Sequence, residues 1–260
     1  MRENGLTPEE RWRIADLERR IEEDDDIDAM VEWAAFWAFN KREWPLSEDQ
    51  KEKVLDYYEA GVESGNSLAC LNLGAIYSEG EIVKRDYEKA AELYRMAAAD
   101  DDDNGIASMA MTNLGYFYYY DYAGHRDYQT AFNYFLQGAL RFGNANAYYK
   151  LGDMYRRGEF VDKNDKMAFE MYMKAFNCEE DGNFFKAEVG HRLGECFLKG
   201  IGCTKDLYAA LTLFQISERH YYEKIRRRDS KAKRNFPKMM ALYEETKRQI
   251  AQELEIENDK

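Results

Sequence analysis

Counted from Gly74, the pair Leu73–Gly74 is followed three residues on by Tyr77, twelve on by Asp86, sixteen on by Ala90 and twenty on by Tyr94. The whole set then returns. Leu114–Gly115 brings Tyr118, Asp127, Ala131 and Phe135; Leu151–Gly152 brings Tyr155, Asn164, Ala168 and Tyr172; Leu193–Gly194 brings Phe197, Asp206, Ala210 and Phe214. Columns that agree over every copy restrict the chain to a repeat array, in which each unit buries its apolar face against the next. The columns themselves call for packing. Gly and Ala permit two helices to approach closely, aromatic rings fill the space between them, and Asp or Asn caps the second helix by accepting from open N–H groups. Function is therefore expected where the copies differ.

Composition narrows the class. Hydrophobic residues make up 45% of 260, enough for a substantial core, and aromatic residues reach 15%. Pro8, Pro45 and Pro237 each stand near an expected helix start, so an all-helical chain with no proline inside a helix is expected. A net charge of −13 disfavours a general nucleic-acid binder. No apolar run is long enough to span a membrane, and no membrane partner is expected. Residues 1–10 lack the apolar core of a secretion signal. Cys70, Cys178, Cys196 and Cys203 follow no paired pattern, so reduced thiols in a cytoplasmic protein are expected, with a Cys196–Cys203 bridge as the alternative.

In chain order, residues 1–47 read as an N-terminal helical cap that can include a degenerate repeat helix. Thr7-Pro8-Glu9-Glu10 opens its first helix as a capping box, and a second helix over 27–40 is apolar nearly all round. Residues 48–219 read as the array. Ser47-Glu48-Asp49-Gln50 opens a preceding half repeat that ends at Gly65–Asn66, and four repeats follow at about 68–104, 109–144, 146–182 and 187–219. Acidic junctions stand at Asp100–Gly105 and Glu179–Asn183. Residues 220–260 read as a basic linker and a capping helix that starts near Pro237. Residues 219–238 hold a net charge of +7, leaving −20 elsewhere.

At these columns the chain resembles the SEL-one-like repeat family, a relative of the tetratricopeptide repeat. Ala69-Cys-Leu-Asn-Leu-Gly-Ala-Ile-Tyr77-Ser-Glu-Gly80 and Val83-Lys-Arg-Asp86-Tyr-Glu-Lys89-Ala90-Ala-Glu-Leu-Tyr94 carry the family pattern most fully. Other copies drift: Asp121 stands for the loop glycine, Thr130 and Met167 for the lysine, and Val189 for the leading alanine. The resemblance implies an all-α, right-handed solenoid of antiparallel helix pairs that acts as an adaptor for other proteins. It also implies that the first helix of each pair lines a concave groove.

Variable columns on those helices supply the candidate site: Asn113, Tyr116, Tyr120, Lys150, Arg156, Arg157, Arg192 and Lys199, with Tyr119 presented beside them. Such a groove, aromatic at its middle and basic toward its C-terminal half, suits an acidic peptide segment or a chain-terminal carboxylate. Solvated helix faces are the alternative. The expected function is a non-enzymatic scaffold that works as a monomer or weak dimer. A specific inhibitor of a toxin or enzyme, of the immunity-protein type, is the second reading, and an enzyme of unassigned class the third.

No cofactor or metal is expected. A calcium-loop match at Asp100, Asp102, Asn104 and Gly105 has Met111 where a bidentate carboxylate is needed, and the histidines stand apart. No phosphate-binding or nucleophile motif occurs, and no convergent set of titratable residues is legible. The cluster Arg226–Arg228, Lys231, Lys233 and Arg234 has three readings: docking on the acidic body or a second copy, contact with an acidic protein, or contact with nucleic acid or use as a localisation signal.

Overall fold

The computed structural model describes residues 6–39, 45–99, 105–178 and 185–258. Every regular element among them is helical: α1 (Pro8–Asp24), α2 (Ile27–Phe39), α3 (Glu48–Glu63), α4 (Ser67–Glu79), α5 (Tyr87–Ala98), α6 (Ile106–Tyr119), a 3-10 turn (Tyr122–Gly124), α7 (Tyr128–Phe142), α8 (Ala145–Arg157), α9 (Asp165–Asn177), α10 (Lys186–Lys199), α11 (Leu207–Arg226) and α12 (Ser230–Asn258). They form two compact units, Met1–Asp127 and Tyr128–Lys260. Of the acidic junctions only Gly105 is a described residue, so the calcium-loop match lies outside the description, as does residue 40 of the second expected helix.

The repeat columns act as the sequence implies, with one partnership it does not show. Three of the column glycines, Gly74, Gly152 and Gly194, lie under the aromatic ring twenty residues later. A Cβ on Gly74 would stand 2.8 Å from Tyr94 Cε1, one on Gly152 2.5 Å from Tyr172 Cε1, and one on Gly194 2.6 Å from Phe214 Cε1. The ring occupies the volume the missing side chain leaves, which makes Gly and aromatic a single packing unit. Ala90, Ala131, Ala168 and Ala210 are buried.

The loop between paired helices is closed twice. Asp86, Asn164 and Asp206 side chains accept from backbone N–H groups of the helix they cap. The backbone N–H of the same column, Asp127 included, donates to the carbonyl of the aromatic nine residues before it: Asp86 to Tyr77 at 3.0 Å, Asp127 to Tyr118 at 3.1 Å, Asn164 to Tyr155 at 2.9 Å, Asp206 to Phe197 at 2.9 Å. Gly80, Gly158 and Gly200 end α4, α8 and α10 in the left-handed region. Asp121 takes that conformation (φ 61°) in the drifted copy, where its carboxylate accepts from Arg126 N–H at 2.9 Å.

The unit Met1–Asp127 is built around Trp33, Trp37, Tyr58, Leu73 and Ile76. Both expected capping boxes are present, Thr7 with Glu10 and Ser47 with Gln50. The C-terminal unit departs from expectation in two ways. Helix α11 runs past residue 219 to Arg226, because Tyr221 and Lys224 are buried against α10. Helix α12 begins at Ser230, not near Pro237. Asp229 Oδ1 accepts from the N–H groups of Lys231 and Ala232 at 2.8 and 2.9 Å, which starts the helix earlier and leaves Pro237 inside it. The proline is exposed, as is Lys233, whose carbonyl loses its helical partner to it. All four cysteines are free thiols, and the Cys196–Cys203 bridge is not made.

Candidate functional site

Helices α8 and α10 carry polar residues at helical spacing on facing sides: Lys150, Asp153 and Arg157 on one, Glu188, Arg192, Glu195 and Lys199 on the other. Asp153 is the hub. Its Oδ1 accepts from the Tyr172 hydroxyl at 2.8 Å and from Arg192 Nε at 3.0 Å, and Arg157 Nη2 stands 3.6 Å from Oδ2. Burial works against the charge, but Arg192, Lys150 and Arg157 overcome it and hold the carboxyl below the ordinary carboxylate range. A second carboxylate, Glu195, takes Arg156 and Lys199, each at 3.0 Å. Arg156 Nη1 is buried without a hydrogen-bond acceptor among the described residues.

The cluster continues toward the C-terminus. Lys224 donates to both oxygens of Glu188 at 2.7 Å, both side chains buried, and lies over the Phe185 ring. His191 Nδ1 stands 3.5 Å from the Tyr221 hydroxyl. Burial, assisted by Arg192, lowers the His191 pKa to about 4. Burial lowers Lys150 to about 8, although Asp153 opposes the shift.

The His191 shift fixes a sign. Between pH 6.5 and about 4 the unfolded chain binds a proton that the folded imidazole refuses, so stability falls as pH falls through that window. In denaturant titrations across it, His191→Gln is expected to lose less stability than the parent. Equal slopes would place the acid sensitivity elsewhere.

The predicted site residues divide between the units. Asn113, Tyr116 and Tyr120 lie on or next to α6. The Tyr116 and Tyr120 rings stack with centroids 5.6 Å apart, and Tyr120 is exposed. Tyr119, expected beside them, is buried; it meets the Tyr120 ring edge-on at 4.9 Å. In the C-terminal unit Lys150, Arg156, Arg157, Arg192 and Lys199 do converge, but not as an open basic surface. Lys150 is buried, Arg192 and Arg156 are mostly covered, and only Arg157 and Lys199 are about half exposed.

The expectation that no titratable set converges is corrected here. Stacked helices bring together Tyr149, Lys150, Asp153, Tyr172, Glu188, His191, Arg192 and Lys224, whose spacing along the chain conceals it. Asp153 and Glu195 were visible as the variable residue after each glycine. Glu188 and Lys224 had no such signal. Among the described residues no group of three or more His, Cys, Asp or Glu is arranged to hold a metal ion, and no helix is long and apolar enough to cross a membrane.

Comparison with known proteins agrees with this architecture. The Sel1 repeat family profile matches residues 67–102, 108–141, 145–178 and 191–224, just over half of the chain. Protein sel-1 homolog 2 of Homo sapiens is 31% identical over 113 residues, which is 41% of this chain and only 16% of that protein. Among solved structures, a Sel1 repeat protein from Oxalobacter formigenes superposes with a TM-score of 0.63 at 21% identity, covering 78% of each chain. A protective antigen of uropathogenic Escherichia coli with an SLR fold gives 0.55 at 22% identity, covering 80% of this chain and 51% of that one. These likenesses establish the helix-pair solenoid fold.

Proposed function

The chain belongs to the Sel1 repeat family, whose members serve as protein-interaction scaffolds, and on that footing we propose that it is a non-enzymatic cytoplasmic adaptor. Its partner offers an acidic peptide segment or a chain-terminal carboxylate to the α8–α10 face. One observation carries the reading: the guanidinium groups of Arg156, Arg157 and Arg192 are held by the buried carboxylate of Asp153 and the partly covered carboxylate of Glu195. Donors fixed in this way lose little side-chain freedom on binding, and a guanidinium fork matches a carboxylate in two hydrogen bonds. Arg157 and Lys199 reach the surface and make the first contact.

The same pairing argues against general-acid catalysis by Asp153. Asp153 is tied to Tyr172 and Arg192 and kept ionised, so it has no proton to give as a general acid near neutral pH.

The test must spare the buried members, whose loss would unfold the unit. Arg157→Gln combined with Lys199→Gln is expected to leave the melting temperature within about 2 °C, since exposed pairs contribute little. It is expected to lower recovery of the partner at least tenfold in affinity capture from the native cell, quantified by mass spectrometry. Partners recovered equally by parent and variant would refute this face as the binding surface.

A further inference from the structure

Arg219, Arg226, Arg227, Arg228, Lys231, Lys233, Arg234 and Lys238 all lie on the end of α11, the turn after it and the first turns of α12. Each is exposed, and no side chain among them makes a hydrogen bond or ion pair with another described residue. Among the described residues, then, the cluster is not docked on the chain's own acidic body. Lys224, one turn before Arg228, shows the contrast: it is buried and spent on Glu188. The acids of the stretch do not neutralise the cluster. Asp229 caps α12, and Glu223 stands 3.7 Å from His220.

Three features select the partner. The cations are spread over two helix ends and a turn, with no carboxylate or cleft on which they converge, so no compact ligand reaches more than a few. A bilayer brings mobile anionic headgroups to each cation without any matching geometry, and clusters of this size are what such surfaces attract. Tyr222 is 56% exposed at the edge of the cluster, its ring packed at 5.0 Å and tilted against Phe236. It presents an apolar body with a polar tip, the form suited to the headgroup layer; held against Phe236, it is not splayed out for stacking on bases. The net −20 of the other residues opposes any polyanion that runs along the body, while screening over about 8 Å leaves a contact confined to this turn intact. The expectation of no membrane partner rested on the lack of a spanning run and does not bear on a peripheral contact.

We propose that the α11–α12 turn docks peripherally on an anionic lipid bilayer. The full chain is sedimented with phosphatidylcholine vesicles, with and without phosphatidylserine, at low and physiological salt. Binding is expected only with phosphatidylserine and to weaken with salt. Arg226→Gln, Arg227→Gln and Arg228→Gln together are expected to lower it about 100-fold. Lys231→Gln, Lys233→Gln and Arg234→Gln form an independent set that decides the matter if the first set unfolds. Absence of phosphatidylserine-dependent binding at low salt, or binding unmoved by a folded variant set, overturns the proposal. So does equally tight binding to a DNA duplex or to polyglutamate, which would give the patch to another class of partner.

Discussion

Asp153→Ala is expected to destabilise the C-terminal unit by about 3–5 kcal/mol, the cost of leaving buried cations without their counter-charge. The residue is 3% exposed and accepts from Tyr172 and Arg192 while Lys150 and Arg157 stand in its field. Truncation strands Arg192 and deepens the burden on Lys150, a cation already expensive to keep at neutral pH. Denaturant unfolding measures the effect. The decisive comparison is Asp153→Leu with Arg192→Met, which removes both charges at similar volume. It is expected to recover most of the loss, because a buried ion pair adds little over apolar packing while an unpaired charge is costly. A double variant as unstable as the sum of its singles would show that shape, not charge, governs the site.

Gly194→Ala is expected to cost about 2 kcal/mol even though alanine is the better helix former. A Cβ there would lie 2.6, 2.8 and 2.9 Å from Cε1, Cδ1 and Cζ of Phe214, a fully buried ring with nowhere to move. Overpacking of this kind costs about 1–3 kcal/mol and sometimes more, against the roughly 0.5–1 kcal/mol that alanine returns in a helix interior. Gly190→Ala on the same helix is the control. Its Cβ would meet Leu213 O at 3.2 Å and Ser217 Cβ at 3.3 Å, a milder contact. In the Gly194→Ala background, Phe214→Leu should be far less harmful than alone, with a coupling of more than about 1 kcal/mol in a double-mutant cycle. Additive effects would mean that Gly and ring do not share one volume.

These experiments probe opposite kinds of knowledge. Gly194 and Phe214 stand in columns that recur, so each was legible as a packing position, one for close approach and one for filling, although their direct contact was not. Asp153 stands in a column that varies from Ala75 to Tyr116 to Glu195, which marks the position as variable without showing what it meets. Its importance comes from what α9 and α10 bring to it. Tyr172 is a packing residue by column, yet its hydroxyl, which Phe135 and Phe214 lack, donates to Asp153. Lys150, Arg157 and Arg192, expected together in a basic groove, converge on Asp153. That expectation did not foresee that the neighbouring column would supply their carboxylates and draw most of them out of water.

The amino-acid sequence alone determined the helix pairs, their caps, the columns that pack and the family. These rest on local capping chemistry and on spacings that one repeat imposes on the next. Only the tertiary structure decided which charges are buried and which remain free. Lys150 and Lys224 are buried and Arg226–Arg228 exposed, though nothing in their residue types separates them. Whether a long cation lies in water or against a carboxylate depends on which helix passes within a few ångströms of its tip, and that is set by stacking between repeats.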